Sequence, residues 1–408
     1  MRVLFVSQVF WPDTVSVAQH LWDLAEELAS AGHEVHAISS RFPYEQKDIR
    51  YASCEIHSGV RIQRLRHTAF GKATTLGRLV DFISFNLISS FKLLGLRARE
   101  YDVIVGTTVP PLLSFFAATI ARWKSIRFCY WVMDMQPELA IASGMIRAGS
   151  LRARFLAMLS DRTCQASHQV IALDAYMRDA LVQKGTAMHS LRVIPVWPVM
   201  ERVYEGTRSE NPFRREQGFG ERIVVMYSGN HAYVHPLDTL LDAAKLLKAD
   251  SRFLFVFVGG GVRRKDVEYA KAQHSLDNIL LLPYQPRANI HNSLGSSDLQ
   301  VVILGDGQVG NTHPNKVYGA LFIGKPILYI GPSPSHVTDI LADLPGNISV
   351  KHGQSLAIVE QLQEFAQQTA AEVQSIGERN RSFARQRFAP EALKMEMVRA
   401  IEASVALN

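Results

Sequence analysis

Cysteine is scarce in this chain, with only 3 in 408 residues. Cys54, Cys129 and Cys164 form neither a CxxC pair nor a disulfide framework. The sequence therefore excludes a disulfide-stabilised secreted domain and a structural zinc site, and it indicates a reducing compartment.

A long hydrophobic run is also missing. The longest apolar stretch, residues 109–121, is shorter than the roughly 20 residues that a transmembrane helix needs. The short apolar run at 3–10 follows a single arginine and is more typical of a buried strand than of a signal peptide. We expect a cytoplasmic protein without a membrane-spanning helix.

Two ligand-binding motifs are absent as well. Residues 8–13 and 228–231 follow the first apolar strand of each half, and neither contains GxGxxG, which disfavours an NAD-dependent dehydrogenase. No Asp-x-Asp pair is available to hold a metal–diphosphate complex. A bound diphosphate would have to be neutralised by helix termini and side chains, so we expect neither a metal nor another cofactor.

What is present is an alternation of apolar strands and amphipathic helices. It begins with a strand at 2–7, a helix at 17–31 and a strand at 34–39, and it restarts at 222–227 after a proline-containing linker near residue 200. Because 408 residues exceed the roughly 250 to 300 that one core supports, we expect two domains. Near-continuous apolar strands predict an α/β fold with parallel sheets, whose ligand binds where the strand ends face each other.

The most informative segment, residues 310–328, has the sequence GNTHPNKVYGALFIGKPIL. Pro314 suits the first position of a helix, with Thr312 or His313 as its cap, so several backbone N–H groups would point outward. These donors, the helix dipole and the charge of Lys316 would attract an anion such as a diphosphate. An ordinary surface helix with a proline start is the alternative.

Further motifs follow one another in a recognisable order: FWPDTVSVAQHLWDLAEELASAGHEVHAIS at 10–39, WVMDMQPELA at 131–140, VIPVWP at 193–198, YSGNHAYVHPLDTLLDAAKLL at 227–247, FVGGG at 257–261, SSDLQVVIL at 296–304 and HPNKVYGALFIGKPIL at 313–328. In this order they resemble the family 4 glycosyltransferases of the GT-B fold, particularly bacterial enzymes that assemble surface polysaccharides on lipid-linked acceptors. The resemblance spans essentially the whole chain.

The resemblance implies two facing Rossmann-like, doubly wound domains. Residues 1–200 would bind the acceptor, residues 201–385 would bind a nucleotide-sugar, and a C-terminal helix at 386–408 would pack back toward the first domain. It also implies transfer of a hexosyl-type sugar with retention of anomeric configuration, a UDP-sugar as the favoured donor and a lipid-linked glycan as the acceptor.

The predicted donor-binding residues are Gly229, Asn230, His231, His235, Gly259, Gly260, Tyr284, Asn311, Thr312, His313, Asn315 and Lys316. Tyr284 would pack on the nucleobase, unless it is a core residue. The glycines would let the backbone approach the donor, although a plain tight turn explains them equally well.

Two of the chain's departures from the family pattern concern the donor; the others are Met133, where relatives often have His or Gln, and the replacement of a glycine pair around Val15 and Ser16. The positions of the two usual glutamates hold Asn311 and Gly319, so the carboxylate that commonly binds the donor ribose is missing. The Arg and Lys that commonly hold the diphosphate fall near His231 and His235. Histidines with a pKa of about 6.5 would be only partly charged at neutral pH, and solvated loop histidines are the alternative.

Two residues are predicted to act on the reacting groups. Lys316 would stabilise charge on the departing diphosphate, and Asp134, which follows an apolar strand, would orient or deprotonate the acceptor hydroxyl. The alternatives are an exposed helix lysine and the N-cap of the next helix. The predicted acceptor-binding residues are Asp13, Thr14, Ser16 and Glu138.

Positive charge is concentrated in the first half of the chain. Residues 1–200 hold 22 Lys and Arg against 16 Asp and Glu, whereas residues 201–408 hold 22 of each. Within residues 61–99, basic side chains alternate with aromatic and aliphatic ones, and Asp81 is the single acid. This segment is predicted to bind an anionic membrane surface on the cytoplasmic side, with a core-facing helix as the alternative. The sequence contains no nucleic-acid recognition module, so we expect no nucleic-acid partner.

Two other functions stay open at this point. A GT-B sugar-nucleotide epimerase would isomerise its substrate without an acceptor. A non-catalytic protein that binds a nucleotide-sugar or a partner enzyme is suggested by Asn311, Gly319 and the absent Arg and Lys.

Overall fold

A computed structural model describes residues 1–43, 49–71, 75–200 and 202–406. The chain divides into two compact units, each with its own β-sheet. The first comprises Met1–Trp197, Gly310–His313 and Pro390–Asn408, and the second comprises Pro198–Val309 and Pro314–Ala389. The predicted fold class, two Rossmann-like α/β domains with parallel sheets, is confirmed.

The strands of the first unit are β1 (Arg2–Val6), β2 (Glu34–Ser40), β3 (Cys54–His57), β4 (Val60–Leu65), β5 (Val103–Thr107), β6 (Arg127–Trp131), β7 (Gln169–Ala172) and β8 (Leu191–Val193). Its helices are α1 (Ser16–Ser30), α2 (Thr75–Leu94), α3 (Leu113–Trp123), α4 (Glu138–Ala142), α5 (Leu151–Ala166), α6 (Ala175–Gln183) and, at the C-terminal end, α15 (Pro390–Ala406).

The first sheet has the strand order β3-β4-β2-β1-β5-β6-β7-β8, and only the β3–β4 pair is antiparallel. Helices cover both of its faces. The C-terminal helix α15 packs on α1 and on β5 to β7, while α3 packs on β5 and β6 from the other face. Because both faces are covered, β5 is buried along its whole length.

The second unit contains the strands β9 (Ile223–Ser228), β10 (Phe253–Val258), β11 (Ile279–Leu282), β12 (Leu299–Ile303), β13 (Ile327–Ile330) and β14 (Ile348–Val350). Its helices are α7 (Pro212–Glu216), α8 (Asp238–Leu246), α9 (Arg264–His274), α10 (Ile290–Gly295), α11 (Lys316–Ile323), α12 (His336–Ala342), α13 (Ser355–Phe365) and α14 (Ala370–Arg387).

The second sheet is parallel throughout, in the order β11-β10-β9-β12-β13-β14. Successive side chains of a strand point to opposite faces, and β10 shows the result. Phe255 and the phenylalanines two positions away belong to one core cluster, whereas Val256 and its even-numbered neighbours belong to another. The apolar run of this strand is explained by burial on both faces.

The structure corrects part of the prediction for residues 61–99. Residues 61–65 lie in β4, and Arg64 is only 4% exposed. Its guanidinium pairs with Glu55 and lies 5.0 Å from the centroid of the Tyr51 ring, so it cannot face lipid. Lys72 lies outside the described residues. In the described ranges, no helix has both the length and the apolarity needed to cross a bilayer.

Candidate active site

Lys316 is a cation that has no counter-ion among the residues that the structure describes. It opens α11 and is half-buried, with Nζ 4.9 Å from the centroid of the Tyr227 ring at the end of β9. Within the described part of the chain, no carboxylate lies within ion-pair distance of it. Burial lowers the pKa of Lys316 to about 8, so the ammonium is still largely protonated at neutral pH. A half-buried charge of this kind favours an external anion.

The first turn of α11 differs from its prediction. The helix begins at Lys316 with Asn315 as its N-cap residue, so Thr312 and His313 do not cap it. The N–H of Val317 donates to the Pro314 carbonyl over 3.1 Å, and the N–H of Tyr318 donates to the Asn315 carbonyl over 3.3 Å. These bonds tighten the turn, so it offers fewer outward N–H groups than predicted.

The loops after β9 and β10 approach each other beside this lysine. Gly259 has φ +122°, and a Cβ atom there would lie 2.2 Å from the Gly229 carbonyl oxygen. Gly229 has φ +127°, and a Cβ atom there would lie 2.8 Å from Cε of Lys316. Only glycine allows this contact, because a side chain at Gly259 would collide with backbone.

His231 supplies no positive charge, contrary to the sequence interpretation. The side chain is fully buried, and its Nδ1 lies 3.0 Å from the Gly260 carbonyl oxygen, which requires a proton on Nδ1. Burial, together with the charges of Lys316 and Arg264, lowers the pKa of His231 to about 4. The imidazole is therefore neutral at physiological pH.

His235 is neutral for the same reason. Its Nδ1 donates to the Ile303 carbonyl over 2.7 Å, and burial followed by the charge of Lys316 holds the pKa of His235 well below its usual value. The expectation that these histidines are partly charged is wrong. Asn230, between the loops, is exposed, and its carbonyl accepts the Tyr227 hydroxyl over 2.8 Å.

Tyr284 is an exposed aromatic residue rather than a core residue. Its side chain is 43% exposed, and its hydroxyl donates to the Gly260 carbonyl over 3.1 Å. A Cβ atom on Gly260 would lie 3.1 Å from the ring, so the ring lies directly against this glycine. The arrangement leaves an aromatic surface beside the β10 loop.

In the first unit, Asp134 lies in the loop after β6. The Thr312 hydroxyl donates to its Oδ1 over 2.6 Å, and the Met135 N–H donates to the Asn311 carbonyl over 2.7 Å. Burial raises the pKa of Asp134 to about 6, while the Thr312 bond and the charge of His313 lower it. The Asp134 carboxylate is therefore mostly ionised at neutral pH, but its pKa is close enough to neutrality for it to accept and release a proton there.

Asp134 does not cap a helix, so the alternative role is excluded. The next helix, α4, begins at Glu138 with Pro137 in the N-cap position. Glu138 itself forms an ion pair with Lys184, which also lies 3.2 Å from Asp161. The predicted acceptor-binding role of Glu138 would require this cluster to open.

A second buried pair joins His313 to Asp174, a residue that the sequence interpretation missed. Nδ1 of His313 lies 2.6 Å from Oδ2 of Asp174, and both side chains are almost fully buried. The other oxygen of Asp174 accepts the Met177 N–H over 2.8 Å and caps α6. The sequence signal for Asp174 was an aspartate between an apolar strand and a helix, which by itself indicates only a cap.

These contacts place Asn311, Thr312 and His313 in the first unit, whereas the sequence interpretation placed them in the donor-binding domain at 201–385. Gly310 follows the same pattern. It has φ +76°, and a Cβ atom there would lie 2.9 Å from the Tyr176 carbonyl oxygen. Residues 310–313 belong to the first unit because they contact residues of that unit that are distant in sequence, although the chain on either side of them belongs to the second unit.

The remaining acceptor candidates lie together at the start of α1. Asp13 accepts the Tyr51 hydroxyl over 3.2 Å, Thr14 is exposed, and the Ser16 hydroxyl lies 3.3 Å from Nδ1 of His20. Among the described side chains, no group of three or more His, Cys, Asp or Glu residues is arranged to hold a metal ion.

Two Rossmann-like units with largely parallel sheets are the architecture of GT-B glycosyltransferases. Family models described as "Glycosyl transferase 4-like domain" and "Glycosyl transferases group 1" match residues 16–197 and 209–381. The chain belongs to the family 4 type of glycosyltransferase.

The curated relatives are distant in sequence. WcaI of Escherichia coli, named as a colanic acid biosynthesis glycosyl transferase, is 22% identical over 85% of this chain and 87% of its own. The glycosyltransferase WbjE of Pseudomonas aeruginosa is 23% identical over 60% of this chain, and the match spans only 61% of WbjE.

Solved structures share the fold at low identity. HepE from Anabaena, in complex with UDP and glucose, has a TM-score of 0.72 at 14% identity, covering 99% of this chain and 100% of its own. WaaG, described as a glycosyltransferase involved in lipopolysaccharide biosynthesis, has a TM-score of 0.71 at 15% identity and covers 98% and 99%.

Proposed function

We propose that this chain transfers a hexosyl-type sugar from a nucleotide-sugar to a lipid-linked glycan during surface-polysaccharide assembly, with retention of configuration and without a metal. The names of WcaI and WaaG support the pathway class, and HepE in complex with UDP-glucose supports a UDP-sugar donor. The observation that carries the proposal is the unpaired, half-buried ammonium of Lys316.

The chemistry of glycosyl transfer explains why such an ammonium matters. When the sugar–oxygen bond breaks, negative charge grows on the departing diphosphate, and a preorganised cation in a partly desolvated site stabilises it strongly. Among the described residues, Lys316 is bound to no carboxylate that the ligand would first have to displace. Binding a diphosphate would also raise the lowered pKa of Lys316, because an adjacent anion favours the charged form.

The surrounding residues fit a nucleotide diphosphate. Gly229 and Gly259 bring two loop backbones next to Lys316 without intervening side chains, so phosphate oxygens can approach closely. The exposed ring of Tyr284 offers a stacking surface for the base. His231 and His235 are neutral and add no positive charge here. Arg264 also reaches the β10 loop, where it donates to the Gly259 carbonyl, but it forms an ion pair with Glu268.

We assign Asp134 to the acceptor. Thr312 occupies its Oδ1, so Oδ2 is the oxygen that can accept a hydroxyl proton or orient a hydroxyl group. Asp13, Thr14 and Ser16 are proposed to bind the acceptor glycan through their polar side chains. Glu138 is left out of this set because Lys184 holds it.

A ligand screen followed by a transfer assay tests the function. UDP-, GDP-, ADP- and dTDP-glucose are compared by thermal shift, because a ligand that binds the native state raises the apparent stability by mass action. The preferred donor is then used with Lys316→Ala. We expect at least a tenfold loss of turnover, consistent with the loss of one charge-stabilising contact.

The matched control is Lys265→Ala. Lys265 also lies in the first turn of a helix of the second unit, α9, but its side chain is exposed. It should behave like the native protein. Unchanged turnover in Lys316→Ala would remove this residue from the mechanism. Isomerised donor without any acceptor would indicate an epimerase, and binding without transfer or hydrolysis would indicate a non-catalytic protein.

We also propose that the protein acts in the cytoplasm at the inner face of an anionic membrane, where a lipid-linked acceptor resides. The part of residues 61–99 available for this contact begins after β4, because Arg64 is buried. Binding to anionic vesicles is the direct test.

A further inference from the structure

Large apolar side chains are exposed along one side of α2. They recur at intervals of three or four residues, so they form a single stripe on the helix. Their exposed fractions run from 38% to 72%. The stripe consists of Leu76, Leu79, Ile83, Leu87, Phe91 and Leu94.

Two neighbouring helices of the first unit also expose large apolar side chains. α2 packs against α3, and α3 packs against α5, so the three helices form one layer on the sheet. Trp123, the last residue of α3, is 75% exposed, and Leu151 and Phe155 of α5 are 83% and 56% exposed. Single exposed apolar residues are common on protein surfaces, whereas a contiguous group of them marks an interaction site.

The charge of this layer has one sign. Both acidic side chains of the three helices are engaged within the protein: Asp81 is buried and accepts the N–H groups of Phe70 and Gly71, and Asp161 pairs with Lys184. The exposed charged side chains on these helices are Lys92, Arg122, Arg152, Arg154 and Arg162.

An anionic bilayer leaflet matches this combination. Arginine and lysine side chains can extend toward phosphate groups while neighbouring apolar side chains enter the boundary between headgroups and acyl chains. Tryptophan prefers this boundary, and Nζ of Lys124 lies 5.5 Å from the Trp123 ring centroid, which puts a cation at the same level. Each basic residue near such a surface strengthens binding about fivefold.

We propose that α2, α3 and α5 together form the membrane-docking face of the first unit, with Phe91, Trp123 and Phe155 inserted at the boundary of an anionic leaflet. This refines the membrane contact in the proposed function and rests on it. The sequence pattern implicated only residues 61–99, whereas the face extends to helices that begin at Leu113 and Leu151. The sheet face covered by α1 and α15 would point away from the bilayer.

Vesicle flotation of the full-length protein tests the face. Vesicles of phosphatidylcholine alone are compared with vesicles that also contain phosphatidylglycerol. The variants are Phe91→Glu on α2, Trp123→Glu on α3 and Phe155→Glu on α5. Each should lower binding to the anionic vesicles at least about tenfold, because a carboxylate replaces an apolar group that would enter the bilayer boundary.

Leu356→Glu on α13 is the matched control, since Leu356 is 66% exposed in the second unit, and it should float like the native protein. All four changes are at exposed positions, and circular dichroism checks folding. If only Phe91→Glu lost binding, the three-helix face would be wrong, and the membrane contact would be limited to residues 61–99. Equal binding to both vesicle types, or none by the native protein, would overturn membrane docking by charge.

Thermal shift with the preferred nucleotide-sugar is measured on the same variants. We expect it to be unchanged, because none of the three positions belongs to the donor loops. A protein that floats but binds no nucleotide-sugar would contradict the transferase proposal, and a protein that binds donor but does not float would contradict the docking face.

Discussion

The Thr312 hydroxyl donates a 2.6 Å hydrogen bond to Oδ1 of Asp134, although the two residues are 178 positions apart in sequence. His313 makes a second bond of 2.6 Å to Asp174. Together these bonds hold residues 310–313 in the first unit, immediately before the chain continues to Lys316. The orientation of the Asp134 carboxylate is therefore set by a residue outside its own motif.

Replacing Asp134 with Asn should stabilise the protein at neutral pH. Burial raises the pKa of Asp134 from 3.8 to about 6, so the native state binds this proton more tightly than the unfolded state. The stabilisation that comes from the bound proton is lost as pH rises through about 4 to 6. Because Asn carries no charge, its advantage over Asp should grow across this window and reach about 3 kcal/mol at neutral pH.

Urea denaturation at about pH 4 and about pH 7 measures this difference. Asp250→Asn is the control, and its effect on stability should have the opposite sign. Hydrogen bonding to Arg252 lowers the pKa of Asp250, so the charged form is the one that stabilises the folded protein. An equal effect of Asp134→Asn at both pH values would contradict a raised pKa. In the transfer assay the same variant should lose activity if Asp134 receives the acceptor proton.

Lys316→Met should raise stability and abolish donor binding. Burial lowers the pKa of Lys316 from 10.5 to about 8, so the charged lysine destabilises the native state below about pH 8 and this cost is relieved as pH rises toward 10.5. A methionine of similar length removes the charge, and we expect a gain of about 1 to 3 kcal/mol at neutral pH.

Thermal denaturation with and without the preferred nucleotide-sugar measures both effects. The native protein should gain stability from the ligand, whereas Lys316→Met should start higher and gain little. Lys265→Met, at an exposed position, should change neither value. A variant that is less stable than the native protein would contradict an uncompensated charge at Lys316.

Asp174 should contribute to stability in two separable ways. Its Oδ2 binds His313, and its Oδ1 caps α6 through the Met177 N–H. Asp174→Asn retains an oxygen that can cap α6 but removes the negative charge. His313 is then left buried without its charged partner, and we expect this to lower the free energy of unfolding by about 3 kcal/mol. Asp174→Ala removes the cap as well, so it should cost about 1 kcal/mol more.

Urea unfolding of both variants gives the two values. Equal losses would mean that the cap contributes nothing. A negligible loss in Asp174→Asn would mean that the pair with His313 is not needed to hold residues 310–313.

Gly259→Ala should be among the most damaging single-methyl changes in the second unit. The added Cβ would lie 2.2 Å from the Gly229 carbonyl oxygen, and φ is +122°. Gly353→Ala is the control, since its φ is +82° but no atom lies within 4 Å of the added Cβ. We expect about 1 kcal/mol for Gly353→Ala and more than about 3 kcal/mol for Gly259→Ala.

Thermal denaturation and nucleotide-sugar binding are measured together. Gly259→Ala should weaken donor binding because the loops beside Lys316 must separate to admit the methyl group. Similar losses in both variants would show that backbone strain alone, rather than the close approach of the loops, accounts for the effect.

Several features could be predicted because they depend on short stretches of sequence. Apolar runs such as 253–258 and the spacing of the helices between them are local patterns, and they predicted two parallel-sheet units. Lys316 was identified as the cation because its position next to Pro314 and Asn315 is visible in the sequence. The amino-acid sequence by itself therefore determined the fold class, and it singled out Lys316 as the candidate cation.

The tertiary structure decided the rest. Whether His231 carries a charge depends on desolvation and on a carbonyl 29 positions away, and no local pattern encodes either quantity. The pairing of His313 with Asp174 and the joining of α2, α3 and α5 into one apolar and basic face likewise require the chain to be folded. Burial and side-chain contacts between distant residues are properties of the packed structure, so they are absent from any single segment.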